Sequence, residues 1–454
     1  MPGTSVSVQI LVSVLLICLL DWNGFVKCHS SVTIPKLILV SMDGFRWDYL
    51  TKLPEKDVSN FTFLIRNGAS ASKGMKNVFA TKTLPNHVTL VTGLYAESHG
   101  IVANEFYDPD FKEVYEINNP SQMVDSKWYD TGPEPIWVTN QKAGEERRSG
   151  SVFWPGCGAV QKGRLPSKYL LFDKRMDFNT RVDILVSWFV SKEPINLGLL
   201  YINEPDHTGH KYGPNSTNLV KKIKELDGVL GYLINKLKKH GIWDDINIIV
   251  TSDHGMTSTP AVKDINIDNY ISPNKYRVWT GNPVALVLPN KNESQSDDEA
   301  LKKVPHVTVY KKQDIPAYYH YKNSRRVTPI LVVADPHYSL SFNKSVVNKT
   351  VGNHGYNNSF SDMHPIFMAH GPAFKNVTVE GFSNTDVYAM MAYVLNIPPA
   401  ANNGSLSAVM ALLKPRESSG GITVTYFVVI PIVLCVAALL SVAACRHRKS
   451  SHRL

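Results

Sequence analysis

Three acidic residues in this sequence each follow a short apolar run. Asp43 comes after residues 37–41, Asp206 after Leu197–Ile202, and Asp253, with His254 beside it, after Ile246–Thr251. Runs of this length and composition read as strands buried on both faces. In open α/β sheets, ligand sites gather outside the carboxyl ends of such strands. Three carboxylates brought to one edge repel one another unless a cation lies between them. His210, His254 and His354 add imidazoles at matching places. Carboxylate and imidazole together are the donors of a two-metal hydrolytic centre.

Each signal also has a plainer explanation. Asp253–His254–Gly255 reads equally as a turn with a capping aspartate. Asp206 and His210 are four residues apart, so they share a face if the segment coils, but Pro205 and Gly209 suit a loop as well. His207 reads as a solvent-facing loop histidine. His354 lies between Asn353 and Gly355 and could be a turn residue. Thr83 precedes Pro85, a residue suited to the first turn of a helix running to about Gly93. Its hydroxyl would sit at the positive end of that helix, where phosphate binds readily. A threonine there is also an ordinary N-cap. The case rests on the residues taken together.

The elements that must position these groups alternate between strand and helix, which predicts an α/β fold with a mostly parallel central sheet and helices on both faces. The clearest helix spans 218–240. Leu219, Ile223, Leu226, Leu230, Leu233 and Leu237 step by four and three along one face, and Gly241 ends it. A second helix is expected over 182–190. Residues 291–326 are polar and lysine-rich and are expected to form a surface excursion.

The chain has 454 residues, 43% of them hydrophobic and 19% charged, enough for one large globular unit with its own core. The net charge of +9 is partly concentrated in Arg446, Arg448, Lys449 and Arg453. No dense basic patch interleaved with aromatics occurs elsewhere, so no nucleic-acid partner is predicted.

Residues 10–20 form an apolar stretch too short to span a bilayer, and 1–28 is expected to be a secretory signal peptide. Residues 29–415 are then the ectodomain and 416–421 a linker. Residues 422–444 are apolar and uncharged, long enough for a transmembrane helix at ~1.5 Å per residue. The basic tail 445–454 is expected to stay cytoplasmic. The expectation is a single-pass type I protein of the plasma membrane, with its bulk extracellular and a secreted form possible by release.

Sequons at Asn60, Asn215, Asn292, Asn343, Asn348, Asn376 and Asn403 fit that topology as N-glycosylation sites, and Asn357 is discounted for its closeness to the proposed site. Cysteines are few: Cys18, Cys28, Cys157, Cys435 and Cys445. No disulfide framework is expected, and Cys157 is read as buried and inert.

The constellation resembles the nucleotide pyrophosphatase/phosphodiesterase family of the alkaline phosphatase superfamily, particularly its short membrane-anchored members four and five, and five most of all. The segments that carry the resemblance are Ser41 to Arg46, Thr81 to His87, Val91 to Ile101, Glu204 to His210, Thr251 to Met256 and His354 to Tyr356.

The resemblance implies an alkaline-phosphatase-like core and two zinc ions. Asp43, Thr83, Asp253 and His254 would hold one ion, and Asp206, His210 and His354 the other. It implies that Thr83 is the nucleophile and passes through a phosphothreonine intermediate, with Asn104 donating a hydrogen bond to the phosphate. It also implies an aromatic slot for a nucleobase. There Leu84 replaces the usual phenylalanine, Phe172 replaces the usual tyrosine, and Trp154 with Pro155 is expected to help wall the slot. The paired cysteines of near relatives are missing, with Ser258 at one of their places.

The substrate expected is a nucleotide or dinucleotide, cleaved to a nucleoside monophosphate. A lipid-headgroup phosphodiesterase and a cell-surface interaction protein with little activity are the alternatives. Every implied ligand is present, which favours an enzyme over the last of these.

Overall fold

The structure is a computed structural model that describes residues 34–290, 300–342 and 351–416. The expected signal peptide, transmembrane span and tail lie outside the described residues, as do Cys18, Cys28, Cys435, Cys445, Asn292, Asn343 and Asn348. Among the described residues, no helix is long and apolar enough to cross a membrane.

An eight-stranded sheet organises the chain. Its strands are β1 (Lys36–Met42), β2 (Ala69–Ala71), β3 (Ser149–Val152), β4 (Lys168–Leu170), β5 (Leu197–Ile202), β6 (Ile246–Thr251), β7 (Phe367–His370) and β8 (Val377–Val379). They lie in the order β8-β2-β7-β6-β1-β5-β3-β4. Only β7 runs against the rest: it pairs antiparallel with β6 and with β2, while the other pairings are parallel. The three apolar runs read from the sequence are the adjacent central strands β5, β1 and β6. Leu37 pairs with Leu197 and Asn247, so the three carboxyl ends finish nearly level.

Alternation along these strands divides the core in two. Ile38, Val40, Leu200, Ile248 and Val250 face one cluster, and Leu37, Leu39, Leu197, Leu199 and Ile249 face the other. Helices cover both faces. Those that matter here are α1 (Ser59–Asn67), α2 (Thr83–Thr92), α3 (Phe178–Phe189), α4 (Asp206–Tyr212), α5 (Thr217–Lys239) and α6 (Asp386–Leu395). The leucine stripe expected on α5 is buried along its length in the first cluster, with α1 and α3. Helix α5 ends in a Schellman turn: Gly241, at φ 68°, donates to Lys238 O and Ile242 donates to Leu237 O.

One expectation needs correction. The described part of 291–326, residues 300–326, is not simply a surface excursion. Val307–Lys311 is a strand of a second, four-stranded antiparallel sheet with Tyr276–Trp279, Val284–Pro289 and Ile330–Ala334. Leu301, Val304, Ile315, Tyr319 and Tyr321 are buried around it. The lysines hid a strand that exposes one edge and packs its other side.

Candidate active site

Asp43 follows β1, Asp206 opens α4 just beyond β5, and Asp253–His254 follows β6. The segment after β5 does coil, so Asp206 and His210 share one side of α4, with Asp206 Oδ1 3.4 Å from His210 Nε2. A short strand pairing joins Thr257 to Asn353 and brings His354 back beside the end of β6. The Nε2 of His354 lies 3.6 Å from Asp206 Oδ1, and that of His254 lies 3.4 Å from Asp43 Oδ1 and 3.0 Å from Asp253 Oδ2. Two overlapping trios result: Asp43, Asp253 and His254, and Asp206, His254 and His354, each with ligand atoms within 4.8 Å of one another. The six side chains therefore converge, and His254 stands between the two groups.

The second contacts of these side chains decide which atoms face inward. His210 Nδ1 pairs with Gly352 O at 2.8 Å, His254 Nδ1 with Gly255 O at 2.9 Å and His354 Nδ1 with Thr81 O at 2.9 Å. Each ring thus spends Nδ1–H on a backbone carbonyl and leaves Nε2 as a lone-pair donor, the usual support of a metal-bound imidazole. The carboxylates are arranged likewise. Asp253 Oδ1 accepts from Gly44 N and Ser252 Oγ, and Asp43 Oδ2 accepts from Tyr201 Oη at 2.6 Å. Their remaining oxygens, Asp43 Oδ1 and Asp253 Oδ2, and also Asp206 Oδ1, are buried with no hydrogen-bond partner. Buried acceptors are rarely left orphaned, and three orphans aimed together fit a divalent cation.

Charge points the same way. Burial, then the Asp253 and Asp206 carboxylates, push Asp43 well above its ordinary range. Asp253 is held below that range: burial raises it, and His254 and His87 outweigh burial. Burial, with His254, Lys82 and His210 beside it, drives His354 well below the usual imidazole value.

Thr83 is the first residue of α2, and the cap position belongs to Lys82. Its hydroxyl is therefore not committed to capping, and it lies 3.3 Å from His254 Nε2. Asn104 Oδ1 accepts from Leu84 N at 2.8 Å, which leaves the amide nitrogen of Asn104 as the group free to donate beside the helix start. Lys82 is buried, with Nζ on Asn282 O at 2.7 Å, and burial lowers its amine to about 8 against the pull of Asp206.

The expected slot is placed less simply. Phe172 is 41% exposed and stands edge-on to Tyr201. Trp154 is only 1% exposed, its ring against His87, and Leu84 is fully buried. Of these three residues expected at the slot, Phe172 alone presents exposed surface. His207 is exposed, as read, and Cys157 is a buried free thiol whose burial raises it to about 11. His87 and Tyr201 carry contacts that the sequence reading missed. His87 reaches Ser41 Oγ and Thr83 O, both at 2.9 Å. The one available signal was a tyrosine hydroxyl inside an otherwise apolar run.

Asn60 also departs from expectation. Its Nδ2 donates to Asp227 O at 3.1 Å and to Asp227 Oδ2 at 2.8 Å, and Gly231 packs directly against it. A glycan there would separate α1 from α5. Asn215, Asn376 and Asn403 are exposed.

A model of the type I phosphodiesterase / nucleotide pyrophosphatase family matches residues 37–357. The chain belongs to that family of hydrolases. Human ectonucleotide pyrophosphatase/phosphodiesterase family member 5 is 44% identical over 381 residues, 84% of this chain and 78% of the relative. A bis(5'-adenosyl)-triphosphatase of Xenopus laevis is 39% identical over 440 residues, 95% of this chain and 94% of its own. The solved structure of the human member 5 superposes with a TM-score of 0.80 at 44% identity, covering 84% of this chain and all 100% of the other. That of an inactive threonine-to-alanine variant of murine member 5, in complex with AMP, gives the same score at 43% identity. The family membership and the alkaline-phosphatase-like α/β core stand as expected.

Proposed function

We propose that this chain is an extracellular phosphodiesterase that cleaves a phosphoanhydride or phosphodiester of a nucleotide or dinucleotide through a phosphothreonine and releases a nucleoside monophosphate. The carrying observation is the set of three orphaned carboxylate oxygens facing three Nε2 atoms, with an uncommitted threonine hydroxyl beside them. Asp43, Asp253, His254 and Thr83 would hold one zinc ion, and Asp206, His210 and His354 the other. Mixed carboxylate and imidazole donors suit zinc better than magnesium or calcium. Such ions supply Lewis-acid activation and neutralise charge on the phosphoryl group.

The chain's own groups do the rest. The start of α2 and the Asn104 amide receive the nonbridging phosphate oxygens, where charge grows in the transition state. The Thr83 oxygen bonds to phosphorus as its proton leaves, and the second phosphate or alcohol departs. Water then cleaves the Thr83 ester and frees the monophosphate. Phe172 offers the exposed aromatic face for the base. The known partner chemistry of relatives agrees: one is named for splitting bis(5'-adenosyl) triphosphate, and another was solved with AMP. We place the enzyme at the plasma membrane, held by residues 422–444.

The test is a substrate panel on the purified full chain with metal analysis. Diadenosine triphosphate should yield AMP, with close to two zinc ions per chain. Turnover of choline phospholipids but not of dinucleotides would overturn the assignment.

A further inference from the structure

Ser41 of β1 lies opposite Tyr201 of β5 in the parallel pairing. Side chains alternate across a strand, so Ser41, Asp43 and Tyr201 project to one face of the sheet. The Tyr201 hydroxyl donates to Asp43 Oδ2 at 2.6 Å. The other oxygen, Oδ1, is the orphan that faces His254. The terminal torsion of an aspartate is broad, so a single hydrogen bond decides which oxygen points at the cation trio and how tightly it is held.

The Tyr201 ring has two further neighbours. On one side is His87, with centroids 5.1 Å apart at 83°, and His87 grips the main chain of Thr83. On another is Phe172, 5.9 Å away at 64°. Arg181 contacts both residues of this pair. Its guanidinium carbon lies 5.8 Å from the Phe172 ring centre, and its Nη1 donates to Tyr201 O at 3.2 Å. One packed path thus runs from an exposed ring, through Tyr201, to a carboxylate of the site.

We propose that Tyr201 is a positioning residue that aims the Asp43 carboxylate and couples that aim to a planar base resting on Phe172. The proposal rests on the metal-dependent reading above. A base on Phe172 steadies the Tyr201 ring, and the ring steadies the hydroxyl on Asp43. Base identity should therefore change kcat as well as KM, which a slot that only binds would not do.

The test uses full-length protein carrying Tyr201→Phe, which keeps the ring and removes the donor. Zinc retention is read by competition with a graded chelator, and steady-state kinetics are read on a nucleotide diester. Zinc should be held about 10–100-fold less tightly, as when such a supporting partner is lost. The kcat should fall with it, while KM moves by less than about twofold. Unchanged zinc retention would overturn the proposal. So would an unfolding temperature that falls as far in the metal-free variant as in the loaded one, because the hydroxyl would then be merely structural.

Coupling is read by Phe172→Leu in both backgrounds. It should lower kcat in the parent protein and have at least about threefold less effect in the Tyr201→Phe background. Equal effects in the two backgrounds would overturn the coupling. Asp43→Asn separates the levels. If it retains zinc like the parent, the metal assignment itself fails. If it loses zinc while Tyr201→Phe does not, only the role of Tyr201 fails.

Discussion

At the scale of single residues, the site works by assigning each polar atom one task. Three imidazoles give Nδ1 to carbonyls and keep Nε2, and two carboxylates give one oxygen to hydrogen bonds and keep the other. Thr83 stands apart because its hydroxyl does not cap its helix, and Asp43, Asp253 and His254 would remain to hold the ion without it. Thr83→Ala should therefore abolish turnover, a loss of more than about 10³-fold for a missing nucleophile. Metal content should remain close to that of the parent, measured by elemental analysis of the dialysed protein. Full activity in the variant would exclude Thr83 as nucleophile. The convergence of Asp43, Asp206 and Asp253 was legible in the sequence because each carboxylate follows an apolar run. The contacts of Tyr201 and His87 were not, because a buried aromatic with one polar atom looks the same whether it fills a core or holds a ligand.

At the scale of elements, the sequence located β5 and β6 to the residue and placed α5 within one residue of each end. Periodicity is strong there because one face, or both, is fully buried. The motif at Asn60 shows where local reading stops. A sequon records three residues, but Asn60 is held by Asp227 of α5, far away in sequence. Peptide mapping of the protein expressed in a glycosylating host should find Asn60 bare while Asn215, Asn376 and Asn403 carry glycans. A glycan on Asn60 in folded protein would contradict the packing of α1 on α5.

The short helix Ala96–His99 offers a second test at this scale. His99 is fully buried, its Nδ1 accepts from Ile101 N and its Nε2 pairs with Thr89 Oγ1 of α2. Burial, with Arg326 adding to it, pushes the imidazole down to about 3. The unfolded ring titrates near about 6.5, so between these values the unfolded chain binds the extra proton and stability falls as pH drops. By pH 5 this one group should cost about 2 kcal/mol. Unfolding midpoints of metal-free protein should show the loss from pH 7 to 5, and His99→Gln should flatten that part of the curve. An equal slope in the variant would place the acid sensitivity elsewhere.

At the scale of the whole molecule, the sheet delivers carboxylates from three adjacent strands to one edge, and the return of the chain through 351–356 closes the set with His354. Without cations, like charges at that edge oppose folding. Chelation should therefore abolish activity and lower the unfolding temperature together. Zinc at about 100-fold over its dissociation constant should restore about 2.7 kcal/mol per site, by mass action. Magnesium should restore less of either, because it prefers oxygen donors and water. Equal rescue by the two ions, in calorimetry and in turnover, would count against the ligand assignment.

The sequence by itself determined the strand ends, the spacing of the acidic and imidazole groups and the family they spell, because these are local patterns of burial and residue type. Only the tertiary structure decided which atom of each side chain faces inward, that Trp154 and Leu84 are buried, and how Tyr201 meets Asp43. The contacts of Tyr201 with Asp43, of His210 with Gly352 and of His354 with Thr81 join residues more than a hundred positions apart, and no local pattern carries them.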